Sequence, residues 1–240
     1  TTTFDNKKAP SIFPIFEEAG YTVARGYSDY KAKSKDAGKM ILIQEEGKDP
    51  SCLPYAIDRK SDDLTLAQIT ESAIDFLTKG KNKGFFLMVE GARIDKSAHS
   101  NDYSAVVREV LDFDKAVEAA IRFAEKDGNT LVIISADHET GALALRDGNI
   151  KEGKMKAMFV SKGHTPIMVP LFAYGPQSKL FGGVQENSDV SNKILQILLH
   201  KLLLSRLILK LLLLLNKKEF LLYENKKFFL IFSLPDRLQK

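Results

Sequence analysis

Two short apolar runs, Phe85–Val89 and Leu131–Ile134, constrain the fold of this chain more than any other feature. Each is a continuous stretch of large apolar residues, which is typical of a strand buried on both faces of a sheet. Between them, apolar residues recur at steps of three and four over residues 104–126, a spacing that predicts a long helix. Strands that alternate with helices favour parallel pairing. The pattern therefore predicts an α/β fold with a largely parallel central sheet flanked by helices.

Local signals predict where other elements begin and end. Asp102 or Ser104 is placed to cap the long helix, and Gly128 is placed to end it. Pro170 favours an edge or a bulge for the strand that contains it. The remaining predicted elements are a strand at 40–43, a strand at 167–173, a helix over 65–79 and a helix from 188 or 189 to about 199.

The net charge of +4, from 35 basic and 31 acidic residues, is distributed unevenly along the chain. Residues 201–240 hold nine of the basic and three of the acidic residues, so residues 1–200 carry a net charge of −2. Nucleic-acid-binding proteins present a basic surface, which the main body lacks, so we expect no nucleic-acid partner. The only cysteine, Cys52, excludes an intrachain disulfide and a zinc site built from cysteines.

Residues 201–240 differ in composition from residues 1–200, and we treat them as a separate, atypical Leu/Lys-rich tail. They contain fifteen leucines and no glycine, alanine or valine. The densest stretch, Leu202–Leu215, carries two charges and is shorter than the ~20 apolar residues of a membrane span. Two interpretations stay open: an amphipathic helix at a membrane surface, or out-of-frame translation. The start at Thr1, without Met or a signal sequence, indicates a processed chain or a fragment.

Histidines and carboxylates concentrate in three segments that flank predicted strands. In the first segment, Asp95 and His99 are four residues apart, which places both on one face of a helical turn. In an open α/β sheet, ligands bind beyond the carboxyl ends of the strands, where the clusters of the first two segments lie, whereas His164 of the third segment stands just before a strand. The candidate metal ligands are, in chain order, Glu90, Asp95, His99, Asp137, His138 and His164.

Each candidate taken alone has a simpler explanation. A carboxylate at a strand end is commonly a helix cap or a solvated turn residue, and a lone loop histidine is commonly structural or exposed. Together, histidine with carboxylate suits zinc, and an all-oxygen position suits magnesium. Two zinc ions about 4 Å apart would clamp the attacking and leaving oxygens of a phosphoryl group. Lys96 lies inside the candidate site and would face a bound anion, although solvation is its simpler explanation.

Three motifs in order resemble the alkaline phosphatase family. They are Glu-Gly-Ala-Arg-Ile-Asp-Lys-Ser-Ala-His at 90–99, Ser-Ala-Asp-His-Glu-Thr-Gly at 135–141 and Gly-His-Thr at 163–165, and Ala-Tyr-Gly-Pro at 173–176 agrees with them. The resemblance covers roughly residues 1–200 and is most specific from 60 to 200. It implies that residues 1–200 are the carboxyl-terminal portion of an alkaline phosphatase domain, a metal-dependent phosphomonoester hydrolase that uses zinc and magnesium.

The resemblance also implies roles for the two zinc sites. Asp95, His99 and His164 resemble the ligands of the first zinc, which stabilises the leaving-group oxygen and later activates water. Asp137 and His138 resemble ligands of the second zinc, which holds a serine nucleophile as an alkoxide.

Three further positions are interpreted in the same way. Glu90 resembles a magnesium ligand, and Lys96 resembles a residue that contacts phosphate through water in some members. Thr140 stands where some relatives have a further histidine, as in the Asp-His-Glu-Thr-Gly variant of many bacterial members.

The amino-terminal half of the family is not matched here. That half carries the aspartate that bridges two metals, the serine nucleophile in an Asp-Ser-Ala type motif, and an arginine that grips phosphate. Asp29, preceded by Ser28, has no matching context, and no Asp-Ser-Ala occurs. We therefore expect a chain that is inactive alone, with two ligands for the second zinc, one for magnesium and all three for the first zinc. Its strands would also lack neighbours, which leaves an unpaired sheet edge.

Three functions stay open. The first is a fragment of an alkaline phosphatase that lacks its serine nucleophile; the second is another hydrolase of the same superfamily, a phosphodiesterase or sulfatase. The third is an inactive metal-binding remnant. The resemblance further implies a small phosphate monoester as substrate, a homodimer in the full-length protein, and a periplasmic or extracellular location. Membrane association concerns only the tail.

Overall fold

The computed structural model describes residues 11–45, 48, 52–79, 84–203 and 228–233. The chain divides into two compact units, one of Thr1–Pro54 with Asp58–Thr65 and one of Tyr55–Ile57 with Leu66–Lys240. None of the described helices combines the length and the apolar composition of a membrane span.

The first unit is built around a small parallel sheet. Its elements are α1 (Phe13–Glu18), β1 (Thr22–Arg25), α2 (Gly26–Lys33) and β2 (Met40–Ile43). β1 and β2 pair in parallel, with Val23 opposite Ile41, and Val23 and Ala24 are buried. The strand predicted at 40–43 is thereby confirmed.

The second unit carries every candidate site residue. Its helices are α3 (Leu66–Thr78), α4 (Ala92–His99), α5 (Tyr103–Asp127) and α6 (Asn187–Leu203). Its strands are β3 (Phe85–Glu90), β4 (Thr130–Ser135), β5 (Glu139–Thr140), β6 (Ala144–Asn149), β7 (Lys154–Met158), β8 (His164–Thr165), β9 (Phe172–Tyr174) and β10 (Phe228–Ser233). Short 3-10 turns lie at Ile150–Glu152 and Ser178–Phe181.

The long helix α5 organises the core, and its ends lie where the sequence predicts them. The Asp102 carboxylate accepts a hydrogen bond from the Ala105 amide at 3.0 Å, and Gly128 ends the helix with a φ of 72°. Small side chains on one face of the helix let it approach the sheet closely. These are Ala116, Ala120 and Ala124, and they pack against Ile74, Val89 and Val132.

The four-stranded sheet has the order β3-β10-β4-β9, and each adjacent pair is antiparallel. The α/β class is confirmed, but the prediction of a largely parallel central sheet is not. β3 and β4 do run in the same direction, because both are antiparallel to β10, but they do not pair with each other. Among the described strands, the parallel pair is β1 with β2.

The two apolar runs differ in burial. In β4, Val132 faces one core cluster and Leu131 and Ile133 face another, so this strand is buried on both faces as predicted. In β3, Phe86 and Met88 are each 53% exposed, so the prediction of burial on both faces is wrong there. The reason is position, because β3 lies at the margin of the sheet and α3 and α5 pack on its Val89 face.

The later elements were predicted less completely. The strand expected at 167–173 is reduced to β9, which lies at the sheet margin, as Pro170 just before it favours. The β5–β8 pair and the β6–β7 hairpin were not predicted. Most of the tail, and with it the Leu202–Leu215 stretch beyond residue 203, lies outside the described residues, whereas 228–233 form β10.

Candidate metal centre

A turn at Gly91 joins β3 to α4 and sets the direction of that helix. A Cβ at Gly91 would lie 2.8 Å from the Phe113 ring, so the turn packs too closely for a side chain. One turn into α4, the Asp95 carboxylate lies 3.4 Å from His99 Nε2. The predicted pairing of these two residues on one helix face is therefore found.

His164 reaches the same place through strand pairing. β8 pairs with β5 so that His164 lies opposite Thr140. His164 Nε2 is 3.2 Å from His99 Nε2 and 3.8 Å from Asp95 Oδ1. One ligand atom from each of Asp95, His99 and His164 lies within 4.8 Å of the other two, and we call these three residues the triad.

Gly141 fixes the turn that makes this pairing work. Its φ is +87°, and a Cβ there would lie 2.8 Å from the Phe159 ring and 3.2 Å from the Ala98 carbonyl oxygen. The Gly141 amide donates to Gly163 O at 3.0 Å, directly before His164. Only glycine adopts this conformation without strain and allows the close approach.

The hydrogen bond made by His99 determines which ring nitrogen is free. His99 Nδ1 is at hydrogen-bond distance from the Lys162 carbonyl oxygen. A carbonyl oxygen only accepts, so Nδ1 carries a proton, and in the neutral ring Nε2 presents a lone pair. That lone pair points at Asp95 and His164, as expected of a metal-ligating histidine whose other nitrogen is held by a carbonyl.

Thr140 connects the triad to the second pair of candidates, a role the sequence did not predict. Its hydroxyl donates to Asp95 Oδ1 at 2.6 Å, and its oxygen lies 3.2 Å from His138 Nδ1. Because the hydroxyl proton goes to Asp95, the oxygen accepts from His138, whose Nε2 then carries a lone pair. The sequence does contain an indication of this contact. Thr140 follows His138 by two residues, so in an extended segment their side chains lie on the same face.

Asp137 and His138 present two buried acceptors to each other. Asp137 Oδ2 and His138 Nε2 lie 3.3 Å apart, and both atoms are buried without a hydrogen-bond partner. A carboxylate oxygen and an imidazole lone pair at this distance repel unless a proton on the ring or a metal cation lies between them. The His138 ring stacks on His164, with centroids 3.5 Å apart, so this pair adjoins the triad.

The donor set fits metal ions. Two imidazole nitrogens and a carboxylate are a common zinc ligand set, and the side chains of His99 and His164 remain 40% and 36% exposed. That exposure leaves room for a further ligand from solvent. Glu90 ends β3 and lies outside the triad, while Lys96 is exposed on α4 directly after Asp95.

Two features define the class of this protein. It has an α/β core, and a histidine–carboxylate cluster beyond the ends of its strands is a candidate metal centre. A family model described as alkaline phosphatase matches residues 46–159. Alkaline phosphatase 4 of Bacillus subtilis is 32% identical over 263 residues, which is 82% of this chain and 56% of that protein. Escherichia coli alkaline phosphatase is 39% identical over 142 residues, 52% of this chain and 30% of that protein.

Solved structures agree with these relatives. The alkaline phosphatase of the Antarctic bacterium TAB5 matches with a TM-score of 0.70 at 32% identity, over 80% of this chain and 56% of that chain. A mutant of that enzyme with magnesium bound in its M3 site matches with a TM-score of 0.69 at 32% identity, over the same shares of the two chains. The chain belongs to the alkaline phosphatase family. It spans about half the length of the curated relatives it matches over most of its own length.

Proposed function

We propose that this chain is the metal-binding portion of a phosphomonoester hydrolase and that the triad binds zinc. The observation that carries the proposal is the convergence of Asp95, His99 and His164, whose ligand atoms lie within 4.8 Å of one another. In the neutral ring, the lone pair of His99 Nε2 faces Asp95 and lies 3.2 Å from His164 Nε2, an arrangement that suits a bound cation. The substrate class proposed from the family is a small phosphate monoester.

The neighbouring residues extend the proposal to further ions. Asp137 and His138 would supply two ligands of a second zinc, because their buried acceptor atoms lie 3.3 Å apart, but two protein ligands are too few to bind it tightly. Glu90 would be a magnesium ligand, in line with the magnesium bound in the M3 site of the TAB5 mutant. Lys96, exposed beside Asp95, would contact the phosphate through water.

The protein residues would orient this centre. When bound, zinc supplies Lewis-acid stabilisation of charge on a phosphoryl or leaving-group oxygen. Thr140 holds the Asp95 carboxylate in place and the Lys162 carbonyl holds the His99 ring, so both ligands are fixed before an ion arrives. The exposed edges of His99 and His164 face solvent and would admit the substrate.

We further propose that the chain lacks its own catalytic nucleophile. Thr140 is the hydroxyl nearest to the triad among the hydrogen-bonded contacts, but it is 2% exposed and its proton is committed to Asp95. A nucleophile must reach the phosphorus atom and be activated by a base or a metal. Phosphodiesterase, sulfatase and inactive metal-binding functions remain as alternatives. The division into 1–200 and 201–240, the full-length homodimer and the periplasmic or extracellular location also remain predictions.

The decisive experiment measures zinc binding and phosphate ester hydrolysis on the same purified chain. Zinc affinity is measured by competition with a chromogenic chelator, for the wild type and for His164→Ala. His200→Ala is the matched control, because His200 lies in α6 and is the one histidine outside the candidate set. We expect about one zinc per chain, lost in His164→Ala and kept in His200→Ala, with no hydrolysis of p-nitrophenyl phosphate at alkaline pH.

The remaining outcomes separate the alternatives. Zinc affinity that is unchanged in His164→Ala would overturn the triad as the zinc site. Hydrolysis of p-nitrophenyl phosphate that depends on His164 would overturn the proposal that the chain lacks its own nucleophile. Faster hydrolysis of a phosphate diester or a sulfate ester than of the monoester would favour the related superfamily enzymes.

A further inference from the structure

β10 fills the space between β3 and β4. Its six residues pair along the whole length of both strands, from Phe228 opposite Glu90 and Ser135 to Ser233 opposite Phe85 and Thr130. Among the described strands, β10 is the sheet partner of β3 and the partner of one edge of β4. We call the space between these two strands the slot.

Leaving the slot empty would be energetically unfavourable for the two strands that border it. With β10 in place, Leu131, Val132 and Ile133 of β4 are at most 2% exposed. Without it, the facing edges of β3 and β4 would lose their backbone hydrogen-bond partners and the apolar side chains beside them would lose part of their cover. Because β3 and β4 run in the same direction on either side of the slot, one extended segment can satisfy both facing edges. The segment Phe-Phe-Leu-Ile-Phe-Ser suits this role, being apolar and free of proline and glycine.

The slot also lies between the two halves of the triad. β3 continues through Gly91 into α4, which carries Asp95 and His99. β4 leads to β5, whose partner β8 carries His164. Strands on either side of one intervening strand are about 9–10 Å apart. The distance between α4, which carries Asp95 and His99, and β8, which carries His164, therefore depends on what fills the slot.

We propose that the slot is a strand-binding site, and that residues 228–233 act in it as a positioning strand that holds the two halves of the triad together. A separate peptide of the same sequence would fit the slot in the same way, since pairing with both strands would satisfy its backbone hydrogen bonds. The part that concerns metal affinity rests on the proposed function. The part that concerns strand binding does not.

The test uses the full chain and the variant Leu230→Pro, with Leu230→Val as the matched control. Leu230 pairs with Met88 and Ile133 at the middle of β10, and proline cannot donate the ladder hydrogen bond there. Hydrogen exchange at the amides of β3 and β4 is the first readout. We expect lost protection in Leu230→Pro, unchanged protection in Leu230→Val, and recovery of Leu230→Pro on adding a peptide of residues 225–236.

The amides of Ala116, Ala120 and Ala124 in α5 report on the whole unit. If they also lose protection in Leu230→Pro, recovery with the peptide supports the strand-binding site, and failure to recover overturns it. Unchanged exchange of β3 and β4 in Leu230→Pro overturns it as well. The same peptide carrying the proline is the control for non-specific effects, and recovery with that peptide would also contradict the proposal.

Zinc affinity is the second readout and separates the two proposals. We expect Leu230→Pro to bind zinc at least tenfold more weakly, with recovery on adding the wild-type peptide. Changed exchange without zinc binding by any variant would leave the strand-binding site standing and overturn the proposed metal function. Zinc binding that is equal in Leu230→Pro and the wild type would overturn the positioning role and leave the zinc site standing.

Discussion

The Thr140 hydroxyl donates a 2.6 Å hydrogen bond to Asp95 Oδ1 and thereby ties the strand after β4 to the helix after β3. Both groups are buried, Thr140 at 2% exposure and Asp95 at 9%. A buried hydrogen bond to a carboxylate is stronger than one between neutral groups and fixes the direction of the oxygen that remains. Thr140 is therefore a positioning residue for the candidate metal ligand Asp95.

Thr140→Val is expected to weaken zinc binding about 10- to 100-fold, because a group that orients a metal ligand has effects of that size. Valine keeps the shape and the β-branch but removes the donor. Thr140→Ser keeps the hydroxyl and serves as the control. Competition with a chromogenic chelator measures the affinity of all three proteins. Equal affinity in Thr140→Val and the wild type would mean that Asp95 is oriented by something else.

Gly141→Ala is expected to destabilise the second unit by about 2–4 kcal/mol. Roughly 1–2 kcal/mol comes from the positive φ, and the remainder from the clash with Phe159 and the Ala98 carbonyl. Gly153→Ala is the matched control, since Gly153 has a φ of +61° with nothing within 4 Å of an added Cβ. Urea unfolding measures both variants. Equal losses in the two would show that close packing at Gly141 contributes nothing.

Asp102→Ala is expected to cost about 1 kcal/mol of stability by removing the cap of α5. Asp102→Asn keeps an oxygen that accepts from the Ala105 amide, so its loss should be small. Thermal unfolding compares the two. A loss in Asp102→Asn as large as in Asp102→Ala would point to the charge at the helix start rather than to the hydrogen bond.

Lowering the pH is expected to destabilise the first unit around Lys48. Its ammonium lies 3.0 Å from Asp62 and 2.7 Å from Asp63, and its hydrogen bonds lower the pKa of both carboxyls. A carboxyl with a lowered pKa in the folded state stabilises above its unfolded pKa, and this stabilisation is lost as the pH falls through the lowered value. Hydrogen exchange of residues 58–65, which belong to the first unit, measures the effect from about pH 5 downwards. Lys48→Met should show a weaker pH dependence, and an identical profile would contradict the assignment.

Local signals predicted the parts of the molecule that depend on neighbours in sequence. The helix α5 begins at its Asp102 cap and ends at Gly128, and Asp95 with His99 share one face of α4, as their spacing indicates. The candidate metal ligands were proposed from where residues stand relative to strands and from the family resemblance, and their role stays a prediction. The hydrogen bond of Thr140 to Asp95 required the register of β5 against β8, which is set by contacts between distant segments.

The sheet shows the same limit. An apolar run such as Phe85–Val89 indicates a strand but not its place in the order, and at the margin half of its side chains face outward. The composition of the tail gave no reason to place residues 228–233 between two strands that the chain forms more than ninety residues earlier. The sheet is antiparallel because β10 pairs antiparallel with both β3 and β4, and β9 pairs antiparallel with β4.

The separation of His99 and His164 along the chain, 65 residues, has a consequence for the unfolded state. An ion held by both would close a loop of that length, as a disulfide does, and so remove freedom from the unfolded chain. Loop-closure entropy for this length corresponds to about 4 kcal/mol in the simplest chain model. The metal centre would then be a staple across the protein as well as a reactive site, and a chelator would lower the melting temperature even where no reaction is catalysed.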